Sequence, residues 1–183
     1  MLLTESKLST ASESFLWKII WRSKIPPRVS FFSWTAVLGK ILSTDNLRKR
    51  DIIVMDWFFM YKQSGENVDY LLLHCLIALE MWSMVFCLFG IHWVLPSQEK
   101  VLLASWQGSF GGHCNVTIWR LVPHCLMWCI WQERNAQSFE GCERSTLEFK
   151  YFFFYTLLDW ARALQLFYCY SVLDLLEQCN LRC

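Results

Sequence analysis

The apolar run from Tyr70 to Gly90 limits what this chain can fold into more than any other stretch. Besides Tyr70, its only clearly polar side chains are His74, Glu80 and Ser83, and at helical spacing these do not gather on one face. A helix that is apolar nearly all round is buried either in protein or in lipid. The rest of the chain must therefore cover this run, or the run must lie in a membrane.

Both environments remain open for this run. Leu71–Ile91 is long enough to span a bilayer. Its Leu, Ile, Val and Phe side chains favour insertion by roughly 5 kcal/mol, and Glu80 with the other polar residues opposes it by a similar amount. We favour a buried helix and keep a membrane-spanning segment as the alternative.

Apolar periodicity and end signals predict a mainly α fold: a small helical domain with one possible short β-hairpin, plus C-terminal helices. The 183 residues are 55% hydrophobic, which is enough for a sizeable core. The hairpin is expected in the aromatic stretch 52–63 with the turn 64–67. Helices are expected from Pro27 to Gly39, from Thr44 as cap to Arg50, and over 98–107, 116–138 with a kink or restart at Pro123, 145–166 and 172–181.

The charge is uneven along the chain. Residues 1–50 contain nine Lys or Arg and three acids, whereas residues 51–183 contain eight and thirteen. A basic N-terminal part on a mildly acidic remainder fits contact with a polyanion, or simply a solvated helix face. The candidate nucleic-acid-binding residues are Lys18, Arg22, Lys24, Arg28, Arg48, Lys49 and Arg50, with Lys40 as a further basic residue.

Aromatic rings lie among these basic residues. Trp17, Trp21, Phe31 and Trp34 could stack on bases while the basic side chains contact phosphates. The alternative is that the rings belong to the core and the basic residues form the solvent-exposed side of the same helices. We favour the core for the rings.

The first residues and the cysteines indicate the compartment. MLLTESKLSTASES has no apolar stretch typical of a signal peptide, so an intracellular protein, nuclear or cytoplasmic, is expected. Nine cysteines are an odd number and lie among core-type residues. Reduced, buried thiols are therefore favoured over a disulfide framework.

Residues Trp17–Ala78 resemble the zinc-binding domain that follows the reverse transcriptase in plant LINE-type retrotransposons. The likeness lies in FLWKIIWRSKIPPRVSFFSWTAVLGKILSTDNLRKR, with its Trp pair, Pro-Pro-Arg-Val, Phe-Phe, Leu-Gly-Lys and Thr-Asp-Asn-Leu before trailing basic residues. HCLMWCIWQERNAQSF at 124–139 is similar to a Trp-rich segment that trails this domain. The resemblance implies a polymerase accessory module, with RNA or DNA and the reverse transcriptase core as partners.

The resemblance also implies a zinc knuckle whose ligands are two cysteines, a histidine and a further cysteine. Aligned by the motif, these positions fall on Phe58, Tyr61, Tyr70 and Cys75, of which only Cys75 is a competent ligand. Three lost ligands should abolish tight zinc binding, so no cofactor is expected here, and the aromatic rings would pack in its place. The proline that often follows the last cysteine is Leu76 here, which predicts a helix unbroken at that point.

Other His and Cys residues fit packing better than metal binding. His74-Cys75 has no partner at metal spacing, and Cys125 and Cys129 share an apolar helix face with His124 nearby. His113-Cys114 could be added to that second group, and Cys179 and Cys183 share a spacing near the C-terminus. None of these sets has the spacing of a known zinc motif.

No catalytic signature is visible in the sequence. It has no two adjacent aspartates, as a polymerase site would need, and no phosphate-binding glycine loop. We expect a non-enzyme divided into a loose segment 1–14, a reverse-transcriptase zinc-binding-like domain 15–95 and a helical Trp-rich extension 96–183. The alternatives are a protein-interaction or membrane-associated helical fragment, or a remnant open reading frame without a selected function.

Overall fold

The computed structural model describes residues 15–50, 67–108, 116–165 and 171–180, and every regular element in these ranges is a helix. The prediction of a mainly α fold is confirmed. The expected hairpin at 52–67 lies almost wholly outside the described residues. The elements are α1 (15–22), α2 (Pro27–Val37), α3 (Thr44–Arg48), a π-helical turn (Tyr70–His74), α4 (Leu76–Leu88), α5 (Glu99–Gly108), α6 (Val116–Asn135), a second π-helical turn (Ala136–Glu140), α7 (Thr146–Ala163) and α8 (Val172–Asn180).

Several helix ends follow the predicted local signals. Pro27 is the first residue of α2, and Gly39 after it has a left-handed φ of 65°. Gly141, with φ 64°, ends the second π-helical turn. Ser145 and Glu148 form the predicted capping box of α7, in which each side chain accepts a hydrogen bond from the other's backbone N–H.

Two expected boundaries are wrong. Ser43, not Thr44, caps α3, because the Ser43 Oγ accepts a hydrogen bond from the Asn46 N–H at 3.4 Å. Pro123 lies inside α6, so of the expected kink or restart the restart is excluded. The regular helix ends at Asn135, and the π-helical turn continues to Glu140.

The predicted unbroken helix through Cys75 is also wrong. Cys75 has φ −67° and ψ 157°, an extended conformation that ends the first π-helical turn at His74 and lets α4 begin at Leu76. The Cys75 Sγ accepts a hydrogen bond from the Ala78 N–H at 3.4 Å and donates one to the Leu71 carbonyl at 3.2 Å. The thiol therefore serves as an N-cap, so the chain breaks here without a proline.

Helix α6 lies at the centre of the core. It packs against α2, the first π-helical turn, α4, α5 and α7. Its interior stretch is buried almost without interruption and contributes Ile118, Trp119, Leu121, Val122, Pro123, His124, Cys125, Leu126, Met127, Cys129 and Ile130. One hydrophobic cluster includes these side chains, except Pro123 and His124, together with side chains of α1, α2, α4, α5, α7 and α8.

The apolar run from Tyr70 to Gly90 joins this core. Leu71, Leu72 and Leu73 are buried in the π-helical turn, and Met81 and Trp82 are buried in α4. The Trp82 indole N–H donates to the Leu72 carbonyl at 3.0 Å, which ties the two halves of the run together across the break. Among the helices that the structure describes, none combines the length and the apolar character needed to cross a membrane.

A pair of tryptophans joins α5 to α6. The rings of Trp106 and Trp119 are stacked, with centroids 4.0 Å apart and planes inclined by 10°. The Trp106 indole N–H donates to the Trp119 carbonyl at 2.9 Å, and the Trp119 indole N–H donates to the Trp106 carbonyl at 3.3 Å. Both buried donors are thus satisfied while the rings pack face to face.

Helix α2 meets α6 through a polar contact inside the core. Ser33 and His124 are both buried and share a hydrogen bond of 2.9 Å between Ser33 Oγ and His124 Nδ1. Burial lowers the pKa of His124 to about 4, because the charged imidazolium would lose its hydration. His124 is therefore neutral near pH 7.

The buried His124 makes the free energy of unfolding depend on pH in the acid range. Its pKa is lower in the folded than in the unfolded chain, so its contribution is fully present above pH 6.5 and is lost as the pH falls toward 4. The unaltered protein should lose free energy of unfolding as the pH falls from 6.5 to 4. We expect this loss to be smaller in His124→Gln by on the order of 3 kcal/mol. Denaturant titrations at several pH values measure this.

His92 provides the matched control, because it is an exposed histidine after α4. His92→Gln should leave the slope of stability against pH unchanged. An equal slope in His124→Gln and in the unaltered protein would contradict the neutral, buried His124.

The start of α5 is held to the π-helical segment by two carboxyl groups. The Glu99 N–H donates to Asp69 Oδ1 at 2.9 Å, and the Glu99 side chain is itself buried. Burial, together with the hydrogen bond and the negative charge of Asp69, raises the pKa of Glu99 to about 9. Glu99 is therefore protonated at neutral pH.

Glu99 should reduce stability as the pH rises. A carboxyl whose pKa is higher in the folded chain contributes fully below pH 4.5 and loses that contribution as the pH approaches 9. Glu99→Gln keeps a hydrogen-bond donor without a titrating proton, so we expect it to stabilise the chain at pH 8 by on the order of 2 kcal/mol. Thermal melts at pH 5 and pH 8 measure the difference. Glu140 is exposed, and Glu140→Gln should show no such difference. If Glu99→Gln is less stable than the unaltered protein at pH 8, Glu99 is not protonated in the folded chain.

Candidate nucleic-acid interface and the predicted metal position

Helix α1 has one buried and one exposed side, and both are apolar in part. Leu16, Ile19 and Ile20 are buried in the core. Trp17 and Trp21 lie one helical turn apart on the other side, where they are 45% and 44% exposed. Lys18 and Arg22 are exposed on the same helix at the same spacing. The outer side of α1 thus pairs two rings with two cations.

Helix α2 extends this surface. Phe31 is 64% exposed, and Arg28, one turn before it, is exposed as well. The ring of Trp34 lies edge-on to Trp17, with centroids 5.2 Å apart, and so joins the outer sides of α1 and α2. We call this the aromatic–basic surface and define it as Trp17, Lys18, Trp21, Arg22, Arg28, Phe31 and Trp34.

Arg28 connects the surface to α6. Its guanidinium carbon lies 5.7 Å from the centroid of the Trp128 ring, which is the geometry of a cation–π contact. Trp128 in turn contacts the buried Phe32 edge-on at 5.3 Å. Sequence reasoning missed this partner because the two residues are a hundred positions apart, and the only signal was the Trp-rich character of the α6 segment.

The expectation that the interspersed rings belong to the core is wrong for Trp17, Trp21 and Phe31, since all three are exposed. Trp34 is half-buried. Spacing gave no signal for this, because Trp17 with Trp21 and Leu16 with Ile20 recur at the same interval of four, and the two pairs lie only about 100° apart around the helix.

The structure brings only some of the candidate basic residues together. Lys18 and Arg22 are exposed on α1 and Arg28 on α2, the two helices that carry the rings, and the exposed Lys24 lies in the link between them with φ 54°. Lys49 and Arg50 are exposed beyond α3, whereas the Arg48 side chain lies outside the described residues. Their roles in binding stay predictions.

The motif alignment placed four metal-ligand positions, and two of them lie in the described part of the chain. Phe58 and Tyr61 fall outside it. Tyr70 is half-buried at the start of the π-helical turn, where its N–H donates to Asn67 Oδ1 at 2.7 Å. Cys75 is 2% exposed, and its thiol is engaged in the helix cap.

This donor set does not fit zinc. A phenyl ring has no donor atom, a neutral phenol is a weak ligand, and one thiol cannot supply a tetrahedral site. In residues 15–50, 67–108, 116–165 and 171–180 no group of three His, Cys, Asp or Glu side chains could hold a metal ion.

The rival His and Cys sets pack as expected where they are described. His74 Nε2 bonds the Ser97 carbonyl at 3.2 Å, and Cys125 and Cys129 are both buried. Burial raises the pKa of the Cys125 thiol, and Cys129 raises it further, so the neutral thiol is favoured.

His113, Cys114 and the Cys179 and Cys183 side chains lie outside the described residues. Cys87 and Cys142 are exposed, so the expectation of buried thiols holds for only part of the cysteines.

Residues 4–82 match the protein-family model zf-RVT, described as zinc-binding in reverse transcriptase. This segment covers α1 to the first turns of α4 and contains the whole aromatic–basic surface together with all four aligned ligand positions. The match supports a domain of this kind in the N-terminal part of the chain. No curated protein and no solved structure matches the chain.

Substitutions of Cys75 can distinguish a helix-capping thiol from a metal ligand. Serine is a preferred N-cap, so we expect Cys75→Ser to stay within about 1 kcal/mol of the original stability. Cys75→Ala leaves the Ala78 N–H without its acceptor and should cost about 1 kcal/mol more. Thermal melts of the two variants and of the unaltered protein, each with and without a chelator, measure this.

A zinc-bound Cys75 would behave differently. Both substitutions would then be similarly severe, because neither side chain supplies a thiolate, and the chelator would lower the melting temperature of the unaltered protein.

Proposed function

We propose that this chain is a non-catalytic accessory module of a reverse transcriptase from a plant LINE-type retrotransposon and associates with nucleic acid through the aromatic–basic surface. The observation that supports this best is the exposure of Trp17 and Trp21 beside Lys18 and Arg22. Residues 15–50 contain eight Lys or Arg and one acid, Asp45, so a polyanion meets little repulsion there.

The zinc knuckle of this module is degenerate in our proposal. Its family implies zinc, but the aligned positions are Phe58, Tyr61 and Tyr70, and Cys75 caps a helix. Apolar contacts then hold the segment, since Leu71, Leu72 and Leu73 are buried and the π-helical turn packs against α6. Structural zinc contributes about 10–16 kcal/mol to small zinc-finger peptides, so the core must supply a comparable constraint here.

The chain acts as a binding module and not as an enzyme in this proposal. The matched segment is a zinc-binding part of a reverse transcriptase and not its catalytic domain. The reverse transcriptase core is the protein partner that this match favours. In the proposed division the segment 15–95 is the binding domain, and 96–183 is a helical extension that packs on it.

Binding to RNA or DNA should weaken steeply with salt, because cations that contact phosphates release counterions. We expect the triple change Lys18→Gln, Arg22→Gln, Arg28→Gln to reduce the slope of log affinity against log salt by about 1 for each lost phosphate contact. Titrations of a labelled oligonucleotide at 50 to 300 mM salt measure the slope.

Arg162→Gln provides a control on charge alone. Arg162 is an exposed cation of α7, a helix that packs on α6 and α8. Arg162→Gln should leave the slope of log affinity against log salt unchanged. If the unaltered protein shows no affinity for RNA or DNA at low salt, the proposed function is wrong.

A further inference from the structure

We infer that the aromatic–basic surface binds unpaired nucleotides, with bases stacked on Trp17 and Trp21 and phosphates held by Lys18 and Arg22. The inference rests on the proposed function and adds the class of nucleic acid: a single strand, RNA or DNA, in preference to a duplex.

The residue types on α1 favour a single strand. A duplex is recognised by hydrogen-bonding side chains, such as Arg, Asn and Gln, that reach base edges in a groove, and its base faces are already covered by their neighbours. The exposed side of α1 carries two indole rings and no amide or hydroxyl side chain over residues 15–22. Ring faces can interact with the faces of bases only where those bases are unstacked.

The rings are held in place by each other before any ligand binds. Trp17 lies between Trp21, with centroids 4.9 Å apart and planes inclined by 45°, and Trp34, edge-on at 5.2 Å. Such mutual packing fixes side chains that would otherwise lose rotamer freedom on binding. Each of the two exposed rings still presents nearly half of its surface to solvent.

The spacing of rings and cations matches along the helix. Trp17 and Trp21 are four residues apart, as are Lys18 and Arg22, so each pair is separated by about 6 Å along the axis. Two neighbouring nucleotides of one strand can then place their bases over the rings and their phosphates beside the cations. Phe31, exposed on α2 next to Arg28, offers a third ring to the same strand.

Charge favours this ligand over a protein partner for the same rings. All charged side chains of the surface are cations: Lys18, Arg22 and Arg28. A nucleic acid supplies both the planar faces and the regular negative charge that this arrangement needs.

The experiment compares labelled strands with the full-length protein. Oligo(U) and oligo(dT) of about 12 nucleotides and a blunt duplex of matched phosphate number are titrated by fluorescence anisotropy at one salt concentration. We expect both single strands to bind at least tenfold more tightly than the duplex. Trp17→Ala and Trp21→Ala should each weaken single-strand binding roughly five- to a hundredfold and change duplex binding little.

Two further variants separate stacking from folding. Trp21→Phe keeps an aromatic face, so it should retain most of the affinity that Trp21→Ala loses. Tyr155→Ala removes a ring that is 57% exposed on α7, a helix that carries no residue of the aromatic–basic surface, and should have no effect. Thermal melts identify any variant that loses its fold, and the comparison of single strand with duplex in the unaltered protein does not depend on them.

Each remaining result decides between the two proposals. Salt-dependent binding that is equal for single strand and duplex, or unchanged in Trp17→Ala and Trp21→Ala with the fold intact, overturns base stacking and leaves the proposed function standing. Absence of binding to every oligonucleotide overturns both, and indicates a protein ligand for the exposed rings.

Discussion

The burial of α6 on nearly all sides is the constraint on which the rest of the described structure depends. From Ile118 to Ile130 its side chains are almost all buried, so α2, α4, α5 and α7 must each cover part of it. Its polar residues therefore need partners inside the protein. His124 bonds Ser33, and Glu133 accepts hydrogen bonds from the Arg144 backbone and guanidinium. These contacts fix the position of α2 and of the loop before α7.

Helix ends were predictable where the signal is local. The proline at the start of α2, the glycine after it and the capping box at Ser145 each act within a few residues. The break at Cys75 was not predictable in the same way, since a thiol is rarely a helix cap. It depends on the Leu71 carbonyl and on the indole of Trp82, which bonds Leu72 across the break. These contacts span four and ten residues, so the boundary is set by nearby side chains that carry no usual capping signal.

The candidate site was predictable in composition but not in orientation. Sequence spacing grouped Lys18 and Arg22 with Trp17 and Trp21, yet both sides of α1 carry large apolar residues. Periodicity alone cannot choose which side is buried when neither is polar throughout. The choice is made by packing, since Leu16, Ile19 and Ile20 join the core and leave the indoles outside. The contact of Arg28 with Trp128 likewise required the fold.

The two sides of helix α2 have different roles: the inner side packs in the core, and the outer side carries residues of the proposed binding surface. Phe32 points into the core, where it contacts Trp128 and Trp131, whereas its neighbour Phe31 is exposed. Arg28 lies over Trp128 at the border between these two environments. Because the inner side is fixed by α6, the outer rings are presented by a rigid element and need no ordering of a loop before contact. A surface of this kind keeps its geometry without a metal, provided that the α6 core stays intact.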